Sequence, residues 1–328
     1  MTSLALWQNI ESRLDSGLKG WRSRVDDFGQ VAAVKERAAG RTWSDDETFE
    51  GLLMAVLSNN TDWSRIERIR ADLAELFSGF SLKLYADLPH REIAERILPW
   101  FLERKAGSMT LERDLVNLRR CARRLYEHSR LHGTAESYFT LLVRQLEGDP
   151  KKAALQLGSP GNDKLPAFGV ALAAEALKNL GFDVAKPDRH AKRAVASFGL
   201  VPFEDWRDRN GRTGPSCHSK RSYLAVMGAV QDIAASARVP IVTADNAIWL
   251  LCAKSGLYLT NAKLAEMARK GNDPDALAEV VGTLICSWSE TQDVSEQRAT
   301  IDCLVAGLNG ERRSARKLFP AEFKGRSW

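Results

Sequence analysis

Apolar residues recur at helical spacing along most of this chain, and that periodicity constrains the fold more than any other feature. Phe49, Leu52, Leu53, Val56 and Leu57 stand at i, i+3, i+4, i+7 and i+8, which makes one buried helical stripe. Ahead of them Ser44-Asp45-Asp46-Glu47 has the capping-box spacing, with Ser44 as N-cap and Glu47 at N3. The polar run Ser58-Asn59-Asn60-Thr61 should end that helix. A second helix carries Ile66, Ile69, Leu73, Leu76 and Phe77 on one side, with Arg65, Glu67, Arg68 and Arg70 on the other. Leu111, Leu115 and Leu118 mark a third, whose Arg119, Arg120, Arg123 and Arg124 read as a solvated outer face. Strand-like alternation is scarce, the best case being Val239 to Thr243. The expected class is all-α.

With 328 residues, 44% of them hydrophobic and 27% charged, the chain has material for a full core, which excludes wholesale disorder. No segment approaches the roughly 20 apolar residues of a membrane span. The N-terminal region carries Glu11, Asp15, Asp26 and Asp27 and does not read as a secretory signal, so a cytoplasmic location is expected. The 5 cysteines are odd in number and widely spaced, with no C-x-x-C pair, so neither a zinc knuckle nor an iron–sulfur loop can be drawn. Cys217 and His218 alone are two ligands, not a site. No metal and no cofactor are expected.

The most informative stretch begins at the loop Gly158-Ser159-Pro160-Gly161-Asn162-Asp163. Lys164-Leu165-Pro166-Ala167-Phe168-Gly169 follows as a tight turn, and a helix then runs to Leu180. Val170, Ala173, Ala174, Leu177 and Leu180 should face inward, with Gly181 closing the helix at C′. Backbone N–H groups at such a turn and at the next helix's N-terminus can hold a phosphate without a cationic side chain. Gly169 permits close backbone approach, and Pro166 stiffens the turn. Pro187-Asp188 then opens a helix to about Phe198, before Gly199. Asn210-Gly211 and Gly214-Pro215 mark a basic loop, and helices resume near Tyr223 and Asn246.

The net charge of +5 is weak evidence by itself; placement matters more. Lys186, Arg189, Lys192 and Arg193 surround Asp188, and Arg207, Arg209, Arg212, Lys220 and Arg221 fill the later loop. A local patch of this kind suits a nucleic-acid backbone, with affinity falling steeply as salt rises. The tail carries Arg312, Arg313, Arg316, Lys317, Lys324 and Arg326, and its Phe319, Phe323 and Trp328 argue for some docking.

The turn Leu165-Pro166-Ala167-Phe168-Gly169, followed roughly five helical turns later by Pro187-Asp188-Arg189-His190, resembles the helix-hairpin-helix DNA glycosylase superfamily. The upstream run from Phe49 through Leu57-Ser58-Asn59-Asn60-Thr61-Asp62-Trp63 is similar to that family's early helix, which ends in a polar residue that enters the DNA gap. The matches keep the family's order and cover roughly residues 43 to 260. Ala167 departs from the family's first hairpin glycine, and Arg189 stands where a small hydroxyl residue is usual. Ala171 occupies the position of the lysine that bifunctional members use to form a Schiff base, so little or no lyase activity is expected.

The resemblance implies two helical lobes with a cleft between them. The expected divisions are 1–42, an extension packed on the second lobe; 43–157, the first lobe; 158–262, the hairpin-containing lobe; and 263–328, a helical extension. It implies Asp188 as the catalytic carboxylate, and Lys164, Ala167, Phe168, Gly169 and Ala171 as backbone-binding positions. Asn60 becomes the gap wedge, with Trp63, Trp43 and Arg189 as base-pocket candidates. The implied activity is hydrolysis of an N-glycosidic bond in damaged or modified DNA, with a soft preference for alkylated purines. The partner is double-stranded DNA with a flipped base, bound by a nucleoid-associated monomer. Each residue also has a plainer reading. Asp188 is a good N-cap, Asn59-Asn60 a plain interhelical turn, and either tryptophan an ordinary core residue. His190 reads as structural, and Asp245, before Asn246, as an N-cap untied to the hairpin. A protein that binds DNA through the hairpin without chemistry is the alternative; a helical scaffold with no nucleic-acid role is a third.

Overall fold

In a computed structural model, which describes residues 3–201 and 219–254, all regular structure is helical and no strand occurs among the described residues. The chain begins with α1 (Ser3–Gly17), α2 (Trp21–Asp27), α3 (Gln30–Ala38), α4 (Asp45–Leu57), α5 (Trp63–Leu76) and α6 (Leu82–Asp87). Next, α7 (His90–Glu92) runs through a π-helical turn at Ile93–Ile97 into α8 (Leu98–Glu103). Pro99 has no N–H for the Glu95 carbonyl one turn back, which accounts for the widened turn ahead of it. Then come α9 (Leu111–His132), α10 (Glu136–Gln145), α11 (Pro150–Gly158), α12 (Val170–Asn179), α13 (Arg189–Ser197), α14 (Lys220–Ala237) and α15 (Ile241–Lys254). These helices fall within the compact unit Met1–Ala278. No single described helix is long and apolar enough to cross a membrane. The basic loop residues Arg207, Arg209 and Arg212, the Cys217-His218 pair and the basic tail lie outside the described residues.

The Ser44 capping box forms. Ser44 Oγ accepts from the Glu47 N–H at 3.2 Å, and the Glu47 carboxylate accepts from the Ser44 N–H at 2.8 Å. The helix it starts is more central than a stripe. From Thr48 to Leu57 every residue except Glu50 is buried, because α4 packs against α6, α9 and α12. Burial of each Phe49-sized or Leu52-sized side chain contributes about 1.5–3 kcal/mol. The expected inward face of α12 is buried as well, from Val170 through Leu180. A Schellman closure ends this helix: Phe182 N–H donates to Leu177 O and Gly181 N–H to Lys178 O, both at 2.9 Å. Gly181 has φ +76, and a Cβ there would lie 2.4 Å from Ala33 O. On the same junction Arg37 donates to Leu180 O at 2.7 Å and to Glu136 at 2.6 Å, with its guanidinium over Phe182.

Four sequence expectations change. Gly158 ends α11 instead of starting a loop, since α11 and α12 approach so closely that a Cβ on it would lie 2.3 Å from Val170 N. Val239 to Thr243 is not a strand: α15 starts at Ile241, and its first N–H groups are capped from a distance by Asp183, at 3.1 Å for Ile241 and 2.9 Å for Val242. Asp245 therefore sits inside α15 and is not an N-cap. The arginine face of α9 is not simply solvated. Arg123 donates to Ala86 O at 2.8 Å, and Arg124 donates to Asn162 O at 2.9 Å and Lys164 O at 3.2 Å, tying α9 to the turn before α12. The N-terminal helices pack on the later ones: α1 on α14 and α15, α2 on α15, α3 on α12.

Candidate functional site

Pro187 reverses the chain in the space of three residues. The Asp188 N–H donates to Lys186 O at 2.8 Å, which is a γ-turn centred on proline. Asp188 is then extended, and its Oδ1 accepts from the His190 N–H at 2.8 Å and the Ala191 N–H at 3.0 Å. The N-cap reading of Asp188 is therefore correct. It uses only one carboxylate oxygen, and Oδ2 has no hydrogen-bond partner among the described residues. Asp188 lies on the wall of a pocket of about 640 Å³.

Ala171, Asn60, Trp63, Trp43 and Arg189 line the same pocket. Asn60 is exposed and holds the left-handed conformation, φ +50, at the end of α4. Its neighbour Asn59 is pinned, donating to the buried Asp114 at 2.8 Å, and Asp114 also accepts from Thr110 at 2.7 Å. The turn is thus braced from below while Asn60 protrudes. Trp63 starts α5 and is half-buried, and Arg189 is exposed. Trp43 is only 6% exposed, with the Arg37 guanidinium 4.5 Å and the Arg41 guanidinium 5.2 Å from its ring centroid. That ring is packed largely into the core and against its two arginines, with one edge on the pocket.

The turn between α11 and α12 lies outside the pocket lining. Phe168 is buried, and the half-buried Lys164 donates to Leu165 O at 3.1 Å. Burial lowers the Lys164 pKa below the usual lysine range. Gly169 is exposed, extended at φ −90, and faces open space where a Cβ would be. No side chain caps α12, so its first-turn N–H groups have no side-chain acceptor. Ala167 has φ +73, in the left-handed region that glycine adopts freely and alanine only at a cost. The basic patch around Asp188 is smaller than its sequence suggests. Lys192 is only 2% exposed, with Nζ 4.4 Å from the Tyr223 ring centroid, while Arg189 faces solvent.

Sequence reasoning missed a polar wall on this pocket. Lys178 Nζ lies 2.5 Å from Asp245 Oδ2, 2.9 Å from Asn246 Oδ1 and 3.6 Å from Glu175 Oε2. Lys186 Nζ reaches Ser58 Oγ at 3.2 Å and Glu175 Oε2 at 3.5 Å. Gln30 donates to Glu175 at 2.8 Å and to Asn179 at 2.7 Å, and accepts from Asn246 at 3.0 Å. Burial opposes the charged form of Glu175, but Lys178 and Lys186 outweigh it and bring its pKa down to about 2. Burial would likewise neutralise Lys178, yet Asp245, Glu175 and Asp188 hold its pKa above the usual lysine value. The Asp245 pKa moves up, from burial first, with Asp188 and Glu175 adding to it against Lys178. The one local signal was the i, i+3 pair Glu175–Lys178; the other partners come from helices far away in sequence.

Aromatic rings complete the lining. Trp249 is half-buried, edge-to-face with Phe28 at 5.7 Å and with His190 at 6.4 Å. Burial lowers the His190 pKa, and Arg189, Arg193 and Lys186 add to this against Asp188, which favours the neutral imidazole. Among the described residues no three His, Cys, Asp or Glu side chains cluster as a metal site. The pocket thus offers a carboxylate with one unengaged oxygen, an ammonium two residues away and aromatic walls. Such an arrangement can stabilise separated charges on one bound molecule. No family model, curated protein or solved structure matches the chain.

Proposed function

We propose that this protein is a DNA glycosylase of helix-hairpin-helix type, hydrolysing the N-glycosidic bond of a damaged or modified base. Asp188 carries the reading: one oxygen is anchored by two backbone N–H groups, and the other is unengaged on the pocket wall. Chemistry inside a duplex requires the nucleotide to be extruded. The protruding Asn60, on a turn braced through Asn59 and Asp114, suits a wedge that fills the vacated gap. The uncapped start of α12, with Gly169 exposed before it, suits a phosphate as its missing cap. As the bond breaks, C1′ becomes cationic. Asp188 Oδ2 stabilises that charge and receives the proton of the attacking water. Ala171 on the pocket wall has no amine to trap the sugar, so release without strand scission is the expected outcome.

The test is a panel of duplexes, each with one modified base, incubated with protein and then treated with hot alkali. Strand breaks at the modified position only after alkali are the expected result. A second reading, a DNA-binding protein without chemistry, is favoured by Ala167, whose side chain stands in the left-handed turn. It predicts salt-dependent retention of every duplex and no alkali-labile site on any. A helical scaffold with no nucleic-acid role predicts no retention.

A further inference from the structure

Heterolysis of a glycosidic bond creates two charges, and Asp188 answers only one of them. The γ-turn at Pro187 carries the second answer. Lys186, two residues before Asp188, lines the same pocket with a side chain 14% exposed. Its ammonium has three donors. One goes to Ser58 at 3.2 Å, and the ammonium pairs with the Glu175 carboxylate 3.5 Å away; it has no other acceptor among the described residues. The two tethers fix the ammonium, and Glu175 holds it there by charge. No ion pair joins Lys186 to Asp188 among the described residues; the ammonium is paired with Glu175.

We propose that Lys186 is a catalytic residue that donates a hydrogen bond to the departing base, and that the substrates are bases leaving as anions. This rests on the glycosylase reading of the same pocket. The C1′–N electron pair passes to the base nitrogen, and the negative charge spreads onto a ring carbonyl oxygen facing the Lys186 ammonium. Water adds its oxygen to C1′, one water proton goes to Asp188, and the base takes up a proton on release. The products are the abasic sugar hydroxyl and the neutral base. Lactam bases formed by deamination or oxidation have that carbonyl. A cationic N-alkylated purine leaves neutral and gains nothing from a fixed ammonium, so this inference departs from the alkylated-purine preference that the family resemblance suggests.

The experiment compares single-turnover release of uracil, hypoxanthine and 8-oxoguanine with release of N7-methylguanine. The full-length chain is used as wild type, Lys186→Met and Lys186→Arg. The ratio of lactam to cationic rates is read on each protein, so a general loss of folded protein cancels. The expected result is a ratio that falls about a hundred-fold in Lys186→Met and recovers at least in part in Lys186→Arg. A ratio unchanged in Lys186→Met, or release confined to N7-methylguanine, overturns the role of Lys186 while leaving the glycosylase reading standing. Absence of release from every substrate overturns both.

Discussion

Ala167 is the residue at which the backbone and the side chain disagree. At φ +73 its Cβ crowds the local carbonyl, which costs about 1–2 kcal/mol. Glycine would remove that strain and give back part of it through a more flexible unfolded chain. Ala167→Gly should therefore raise stability by about 0.5–1 kcal/mol, read as a higher urea midpoint at unchanged m-value. A lower midpoint would show that the turn is not left-handed at this residue. The sequence marks Ala167 only as a departure from the glycine of the family it resembles, because φ is set by the closure of the whole turn. Asp188 was more legible. Standing directly after Pro187, it reads as a good N-cap by local rules. The open Oδ2 was not readable, since it depends on what the surrounding helices leave unfilled.

Helices were legible wherever their own residues carried the start and stop signals. Ser44, Glu47 and Gly181 do so for α4 and α12, and those ends fall where the spacing puts them. The beginning of α15 was not legible. Val239 to Thr243 alternates like a strand, and the cap that makes it a helix is Asp183, far upstream. Gly158 was misread for a similar reason. Its glycine character looks like a loop signal, but the requirement comes from Val170 backbone lying against it. That contact gives a sharp prediction for the α11–α12 pair. Gly158→Ala places a Cβ 2.3 Å from Val170 N, and backbone cannot rotate away. The variant should lose about 1–3 kcal/mol, seen in chemical denaturation, and Gly158→Ala at wild-type stability would mean the two helices are further apart.

The pocket belongs to the whole molecule, and that is why so little of its polar wall was visible in the sequence. Gln30 is on α3, Glu175 and Lys178 are on α12, Lys186 precedes α13, and Asp245 and Asn246 are on α15; these elements meet only in the folded chain. Their charges make the fold sensitive to acid. Glu175 has a folded pKa of about 2 against an ordinary 4.5, so the folded state holds its proton less tightly than the unfolded chain. Its stabilisation is complete above pH 4.5 and is lost as the pH falls toward 2. Asp245 moves the other way, so the comparison needs one variant against wild type. Glu175→Gln should be less stable than wild type at neutral pH, with the gap closing across that acid window in urea titrations. A gap independent of pH would remove Glu175 from the charge balance.

In the proposed reaction, the unengaged oxygen of Asp188 faces the cation formed on the sugar. At about 4 Å and an effective dielectric near 20, that attraction is on the order of 4 kcal/mol, or roughly three decades of rate. Asparagine retains the cap on α13, since its side-chain oxygen can accept from the same N–H groups. The most direct measurement is therefore single-turnover base release by Asp188→Asn on a duplex that wild type processes, with duplex affinity measured alongside at one salt concentration. Release slowed about a thousand-fold with affinity essentially retained is expected; release at the wild-type rate would remove Asp188 from the chemistry.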